Sequence, residues 1–303
     1  MKTITHKGLT LHHIKNPSRE DIEVLKKSVT LTPSVSQQLL SPSFHPKIET
    51  FEDNIIATFR FPFFDDTKQE VSIHELDFVI NKDQLIIIQY DDFDPIDSLM
   101  RKLSRNESSR YEFFKNNNGY LFYSIFEAIL ENVHGQLDHI SSVVESLEDR
   151  IFDGNEEKML QQISRYWREA VDFQRALWLH SDMFPELKKE IKDMFDQETA
   201  GYIGIASNRH ARLANHIEND ISTLQILHET NDSLLSNKVN QIMKVLTIFA
   251  VIVFPLTLMS SMWGMNTQTV PFQDHPFGFW IVLGIMGLGT LMMVIAFKIK
   301  HWI

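Results

Sequence analysis

Two stretches toward the C-terminal end of the chain carry no charged side chain: Val245 through Gln273, and Pro276 through Phe297. As helices their apolar parts, Val245 to about Trp263 and Phe277 to Phe297, would each reach roughly 28–31 Å, close to the hydrocarbon thickness of a bilayer. One such segment alone could be the core helix of a soluble protein. Two of them, split by a short loop, predict a pair of transmembrane helices.

Upstream the pattern has two regimes. Lys47 to Phe51, Ile55 to Phe61, Val71 to Ile80 and Leu85 to Tyr90 are short runs rich in β-branched and aromatic residues, separated by turn chemistry such as Glu52-Asp53-Asn54, Asp65-Asp66 and Asn81-Lys82-Asp83. Ser18 with Asp21 reads as a helix N-cap leading into Ile22, Val24 and Leu25. Residues 1–118 are therefore expected to form an α/β domain, a mixed sheet flanked by helices. From Gly119 the apolar positions Leu121, Ile125, Ile129, Val133, Leu137, Ile140, Val144 and Leu147 recur at three- and four-residue steps, predicting a helix to about Phe152. Gly154-Asn155 breaks it. A second helix is expected from Glu156 to about Phe184, where Pro185 interrupts. A third, starting between Gln197 and Gly204, meets no further proline or glycine until Pro255, so it is predicted to run unbroken into the first span. The resulting segments are 1–118, long stalk helices 119–244, a first span 245–263, a loop 264–276, a second span 277–297 and a basic tail 298–303.

Within the third helix Asn240, Met243, Thr247, Ala250, Phe254, Thr257 and Ser261 follow one another at steps of 3, 4, 3, 4, 3 and 4. Such a 3.5-residue repeat puts them on one face of a left-handed bundle. Most are small or polar, and lipid would reject that face, so it should point at protein or water. Upstream the same register reads Ser236, Ser233, Glu229, Ile226, Ser222 and Asn219. A wet pore and a tightly packed helix seam both fit this periodicity.

Charge adds orientation. Lys238 and Lys244 precede the first span; Lys298, Lys300 and His301 follow the second; the loop between has no Lys or Arg. The positive-inside rule then places both flanks, and the large N-terminal domain, in the cytoplasm. Trp263, Trp280 and Trp302 lie near the proposed boundaries, where interfacial aromatics gather. Net charge is −11, which argues against nucleic acid as a partner. The chain has no cysteine, which removes disulfides and thiolate zinc sites. Met1 to His6 holds one lysine with no apolar run behind it, unlike a signal peptide, so insertion is expected to be directed by the C-terminal segments.

Trp263-Gly264-Met265-Asn266 closes the first span. Ser236-Asn237-Lys238-Val239-Asn240-Gln241-Ile242-Met243-Lys244-Val245-Leu246-Thr247 leads into it, and Phe254-Pro255-Leu256-Thr257 lies midway. Together with the tail from Lys298 to Ile303, His45-Pro46-Lys47-Ile48-Glu49, Phe93-Asp94-Pro95 and Gly119-Tyr120-Leu121-Phe122-Tyr123-Ser124, these residues resemble the CorA-type magnesium transporters. Gly264-Met265-Asn266 matches the family's Gly-Met-Asn signature, and the likeness extends over essentially the whole chain.

The resemblance implies a funnel-shaped homopentamer: a cytosolic α/β/α domain, a long stalk helix continuing as the pore-lining first span, and the second span outside it. By position it implies pore-lining roles for Asn240, Met243, Leu246, Ala250, Phe254, Thr257, Ser261 and Asn266. This set has Leu246 where the heptad stripe has Thr247, and both are placed near the lumen. It further implies Mg2+, or Co2+ or Ni2+, as transported ion in place of any prosthetic group, with the lipid bilayer, divalent cations and other copies of the chain as partners. Magnesium prefers oxygen and sheds its water reluctantly, so a ring of Asn266 amides would meet the hydrated ion without a tight carboxylate cage. Gly264 would let the chain bend beneath that ring, and Met243, Leu246 and Phe254 would form apolar constrictions.

Three departures from the family's pattern concern charge. Thr267-Gln268-Thr269-Val270 stands where many members carry glutamates, leaving Asp274 as the loop's sole acid and a candidate for concentrating cations, beside Glu229 in the stripe. Gln37-Gln38 and Gly204 to Asn208 stand where the best-understood members sense cytoplasmic Mg2+ through carboxylates between subunits, so inhibition through that site is not expected. The basic tail is also thinner than the family's. Asp91, Asp92, Asp94 and Asp97 are expected to form a solvated turn with helix capping. His12-His13, His134 with His139, and His210 with His216 lack the spacing of a helical zinc pair and are expected at the surface. No Ser-His-Asp arrangement, phosphate-cradling glycine loop or His-Glu-x-x-His stands out, so an enzyme is not expected. A zinc transporter of the related ZntB group and a membrane-anchored sensor or scaffold that does not conduct are the alternatives.

Overall fold

The computed structural model describes residues 1–26, 29, 31–65, 70–265, 272, 275–300 and 302. The chain divides into two compact units, Met1–His228 and Glu229–Ile303.

The first unit opens with a hairpin that the sequence pattern does not announce. Strands β1 (Lys2–His6) and β2 (Leu9–Lys15) turn through Lys7 and Gly8, with φ of 51° and 82°. Positive φ at both central residues is what a two-residue hairpin of this twist requires. Helix α1 (Arg19–Leu25) begins where expected. The Ser18 hydroxyl accepts from the Asp21 N–H at 3.2 Å, and the Asp21 carboxylate accepts from the Ser18 N–H at 3.1 Å, a reciprocal capping box. After α2 (Pro33–Gln38) come β3 (Lys47–Phe51), β4 (Asn54–Asp65), β5 (Glu70–Ile80) and β6 (Gln84–Gln89). The six strands are ordered β1-β2-β6-β5-β4-β3, antiparallel throughout except where β2 pairs with β6. The mixed sheet is as predicted.

Successive side chains of a strand point to opposite faces, and the sheet is apolar on both. On one face Ile56, Val79, Ile86 and Ile88 pack with Ile22, Leu25, Val35 and Leu39 of the first two helices and the residue after them. Helices α3 (Asp94–Arg105), α4 (Glu107–Phe113) and α5 (Asn118–Arg150) follow. On the other face Phe59, Phe61 and Phe78 meet Phe122 and Phe126 of α5, with the Phe59 and Phe126 centroids 4.7 Å apart edge to face. The layering is α/β/α. Buried Asn118, at the head of α5, donates to the carbonyls of Asn81 and Lys82 and so ties this helix to the β5–β6 turn.

The helical layer differs from expectation in one place. Helix α6 (Glu156–Trp178) stops well before Pro185, and α7 (Met183–Met194) contains that proline in its first turn, where a missing N–H leaves no bond unmade. A buried histidine lies in the break. The pairing of β3 with β4 reaches only as far as Thr58, and the N–H of Arg60 further along β4 donates at 3.0 Å to Nε2 of His180, which is fully buried between α6 and α7.

His210 and His13 are also buried, at 1% and 3% exposure, which corrects the surface assignment for these two. Aromatic rings surround His210, with Phe184 5.1 Å and His180 5.4 Å away centroid to centroid, and a neutral imidazole packs there as an aromatic would. Burial pushes the pKa of His210 down to about 4 and that of His180 well below the usual value. His13 instead places Nε2 2.7 Å from the Gln89 amide oxygen.

The aspartates at the start of α3 form an ion-paired turn, solvated at Asp91, Asp92 and Asp94. The expected capping is not what they do: Phe93 is the N-cap residue and no side chain caps the helix. Lys15 Nζ lies 2.7 Å from both Asp92 and Asp97, Asp91 meets His74 at 2.9 Å, and Asp94 pairs with Arg101.

Helix α8 (Gln197–Trp263) has 67 residues, and Pro255 lies inside it without ending it. It continues through both units. Helix α9 (Gly278–Ile299) completes the second. Both contain an 18-residue window apolar enough to cross a bilayer; none of that window is buried in α8, and 6% of it is buried in α9. Apolar helices left this exposed are not the core of a soluble domain.

Candidate ion-conduction site

The faces of α8 give the site its geometry. Within the first unit its buried residues from Ala200 onward are Ala200, Ile203, Ala206, His210, Leu213, Ile217, Asp220, Leu224 and Leu227, at steps of three and four. That face belongs to the core of the unit. Asn219, Ser222 and Ile226 each follow a buried residue by two positions, about 200° around the helix, and all three are exposed. The stripe read from the sequence is therefore the side of α8 that its own domain leaves uncovered.

In the second unit the stripe continues in the same register. Glu229, Ser233, Ser236, Asn240, Met243, Leu246, Thr247, Phe254, Thr257 and Ser261 are exposed, and Ala250 is half-buried. Met243 and Leu246 are each 56% exposed and Phe254 71%, large apolar surface for which the single chain provides no cover. The hydroxyls of Thr247 and Thr257 donate to the carbonyls of Met243 and Val253 at 2.8 and 2.9 Å. Each hydroxyl proton is thereby used within the helix, and the oxygen lone pairs remain available to water or a hydrated cation.

At the end of α8 the Gly264 N–H donates to Ser260 O at 3.0 Å and the Met265 N–H to Met262 O at 3.4 Å, a helical close. A Cβ built on Gly264 would lie 3.2 Å from Ser260 O, so glycine relieves a close approach to that carbonyl. Its φ is not among the positive ones, and the bend expected beneath Asn266 falls at the border of the described residues. Met265 is 59% exposed. Asn266 and Asp274, expected at the selectivity ring and in the loop, lie outside the described residues, as do Thr267 to Val270.

At the positions suggested for cytoplasmic sensing, Gln37 is exposed and Gln38 donates to Glu49 at 3.2 Å. Gly204 is half-buried, and a Cβ added to it would lie 3.5 Å from Lys188 Nζ; Ile205 is 51% exposed. No carboxylate occurs from Gly204 to Asn208.

Residues 7–300 match the family described as CorA-like Mg2+ transporter protein. The chain belongs to this family. Among its relatives is the cobalt/magnesium transport protein CorA of Thermotoga maritima, 26% identical over 271 residues that make up 89% of this chain and 76% of that protein. The zinc transport protein ZntB of Yersinia pseudotuberculosis is 20% identical over 295 residues, 95% of this chain and 86% of that one. The solved structure of the CorA magnesium transporter from Methanocaldococcus jannaschii superposes with a TM-score of 0.84 at 23% identity, covering all of this chain and 95% of that one. The CorA fold is thus shared along the whole length. This CorA-family chain is a membrane protein with two spans, α8 in its last third and α9, and its N-terminal unit is the cytoplasmic domain.

One group of side chains has no counterpart among the pairings that the sequence suggests. His134 and Asp138 of α5 come together with His216 of α8, their ligand atoms all within 4.8 Å of one another. The pairings considered from sequence were His134 with His139 and His210 with His216. The usable signal was the four-residue step from His134 to a carboxylate, not to a second histidine.

Proposed function

We propose that the chain forms a homopentameric channel that admits Mg2+, and also Co2+ or Ni2+, to the cytoplasm down their electrochemical gradient. The single observation that carries this reading is the stripe of α8. It lies opposite the face packed into the cytoplasmic domain, keeps one register from Asn219 to Ser261, and runs without interruption into an exposed apolar span. Several copies meeting along that face would line an axis with alternating polar and apolar rings, and family membership supports the same arrangement. In this reading 1–118 is the cytosolic α/β domain, 119–244 the stalk, 245–263 the pore-lining span, 264–276 the outer loop, 277–297 the outer span and 298–303 the cytosolic tail.

Asn266 amides would bind the ion through its water, which keeps the site weak enough to release it. Met243, Leu246 and Phe254 would close the path by dewetting, and Glu229 and Asp274 would raise the local cation concentration. The membrane potential supplies about 2.3 kcal/mol per elementary charge per 100 mV, roughly twice that for a divalent ion, so no nucleotide is required.

The experiment is flux into proteoliposomes containing the full chain, with Mg2+, Co2+ and Zn2+ compared side by side. Mg2+ influx that Asn266→Ala abolishes is the expected result; unchanged influx in that variant removes the ring from the mechanism. A zinc transporter is the second reading, supported by the ZntB relative, and Zn2+ uptake well above Mg2+ uptake would select it. Absence of flux for all three ions would select a non-conducting sensor or scaffold.

A further inference from the structure

The geometry points to a transition-metal site in the cytoplasmic domain, separate from the conduction path, in which His134 and Asp138 of α5 and His216 of α8 hold one divalent ion of the Zn2+, Co2+ or Ni2+ class. One ligand atom from each of the three lies within 4.8 Å of the other two. His134 Nδ1 is 3.6 Å from Asp138 Oδ1, too long for a hydrogen bond, and this nitrogen is shielded from solvent with no hydrogen-bond partner among the described residues. A tetrahedral ion with bonds of about 2.0–2.1 Å needs its ligand atoms roughly 3.3 Å apart, so the existing separation closes by small side-chain rotations. The His134 and Asp138 side chains are 42% and 57% exposed, which leaves a path for the ion to enter and room for water as a fourth ligand.

A supporting layer is also present. His216 Nε2 is 3.1 Å from the Ser141 hydroxyl, and that hydroxyl donates at 2.7 Å to Asp220, which is 9% exposed. A hydroxyl and a carboxylate in series behind an imidazole hold its ring in place, as partners of metal-bound histidines commonly do. Two imidazoles with one carboxylate select borderline transition ions, whereas Mg2+ favours an all-oxygen shell. An ion here would fasten α8 to α5 within the cytoplasmic domain, so the ion class that the stalk binds need not be the one that the pore conducts.

The test is calorimetric titration of Zn2+ into the full chain in lipid nanodiscs, in a large excess of Mg2+ that occupies oxygen-ligand sites. One Zn2+ per chain is expected, weakened at least about tenfold in His134→Ala and in His216→Ala. The same binding should persist in His139→Ala, an exposed neighbour on α5, and in Asn266→Ala, which separates this site from the proposed ring. Equal binding in the wild type and both histidine variants would overturn the site, as would its loss in Asn266→Ala alone. Should the histidine variants fail to fold, zinc-edge X-ray absorption of the wild type decides: two imidazoles with ligands at about 2.0–2.1 Å support the site, and an all-oxygen shell overturns it.

Discussion

His180 and His210 sit where burial strips a charged ring of its hydration. The Arg60 N–H donates to Nε2 of His180, so in the neutral ring the proton resides on Nδ1. Burial lowers the pKa of both, that of His210 to about 4. Between about pH 4 and 6.5 the unfolded chain therefore holds more protons than the folded one. The stability due to His210 is complete above pH 6.5 and is lost as pH falls through about 4, a change on the order of 3 kcal/mol. Asp77 acts in the opposite sense. Burial raises its carboxyl to about 6, and its contribution, present below the usual carboxylate pKa, is lost as pH rises through that value. Two histidines outweigh one aspartate. Thermal unfolding of the full chain should therefore come at a lower temperature at about pH 5 than at about pH 7.5, and His210→Gln should narrow that difference. His210 stands in step with Ala206 and Leu213 on the buried face of α8, a signal that the pairing of histidines by spacing passed over. The partners of His180 were not legible, since Phe59 and Phe61 reach it from a strand more than a hundred residues earlier.

Among the elements, the long helices could be read directly because three- and four-residue steps hold their phase over many turns. The positions from Leu121 to Leu147 are all buried on α5, as their spacing implied. The first hairpin escaped because Lys2 to Lys15 mixes polar and apolar residues with two adjacent histidines, and only Lys7-Gly8 marks its turn. The gap between α6 and α7 escaped because the contact made there, the Arg60 N–H of β4 on His180, joins segments more than a hundred residues apart. The stripe of α8 was legible for the reason that the helix itself was. His134, Asp138 and His216 were not, since the third residue comes from another helix. Packing between the starts of α5 and α8 gives a further expectation. A Cβ on Gly119 would lie 2.6 Å from Thr199 Cγ2 and 3.1 Å from the Phe195 ring. Gly119→Ala should destabilise the protein by about 1–3 kcal/mol through overpacking, despite alanine's better helix propensity, and thermal or denaturant unfolding measures it.

At the scale of the molecule, the cytoplasmic domain lacks the carboxylates that would bind Mg2+ between copies at Gln37, Gln38 and Gly204 to Asn208. Protease digestion of the full chain should accordingly proceed at nearly the same rate with and without millimolar Mg2+, and strong protection would contradict the proposed insensitivity. Two spans and a separate soluble domain were evident from charge-free length alone, because a bilayer sets a minimum run of apolar residues that few soluble folds share. The copy number was not, since the residues that would meet are exposed in a single chain.

Because α8 passes from one unit to the other as a continuous helix, its angular phase is shared along all 67 residues. Adding a single residue between Ser233 and Asn240 would turn everything beyond it by about 100°, swinging Thr257 and Ser261 away from the side that Asn219 and Ser222 define. Adding seven would come back to within about 20° of the starting angle. An insertion in this rod therefore keeps the stripe in phase only when it closes whole helical turns to within a small residual angle, as seven or eleven residues do and one does not.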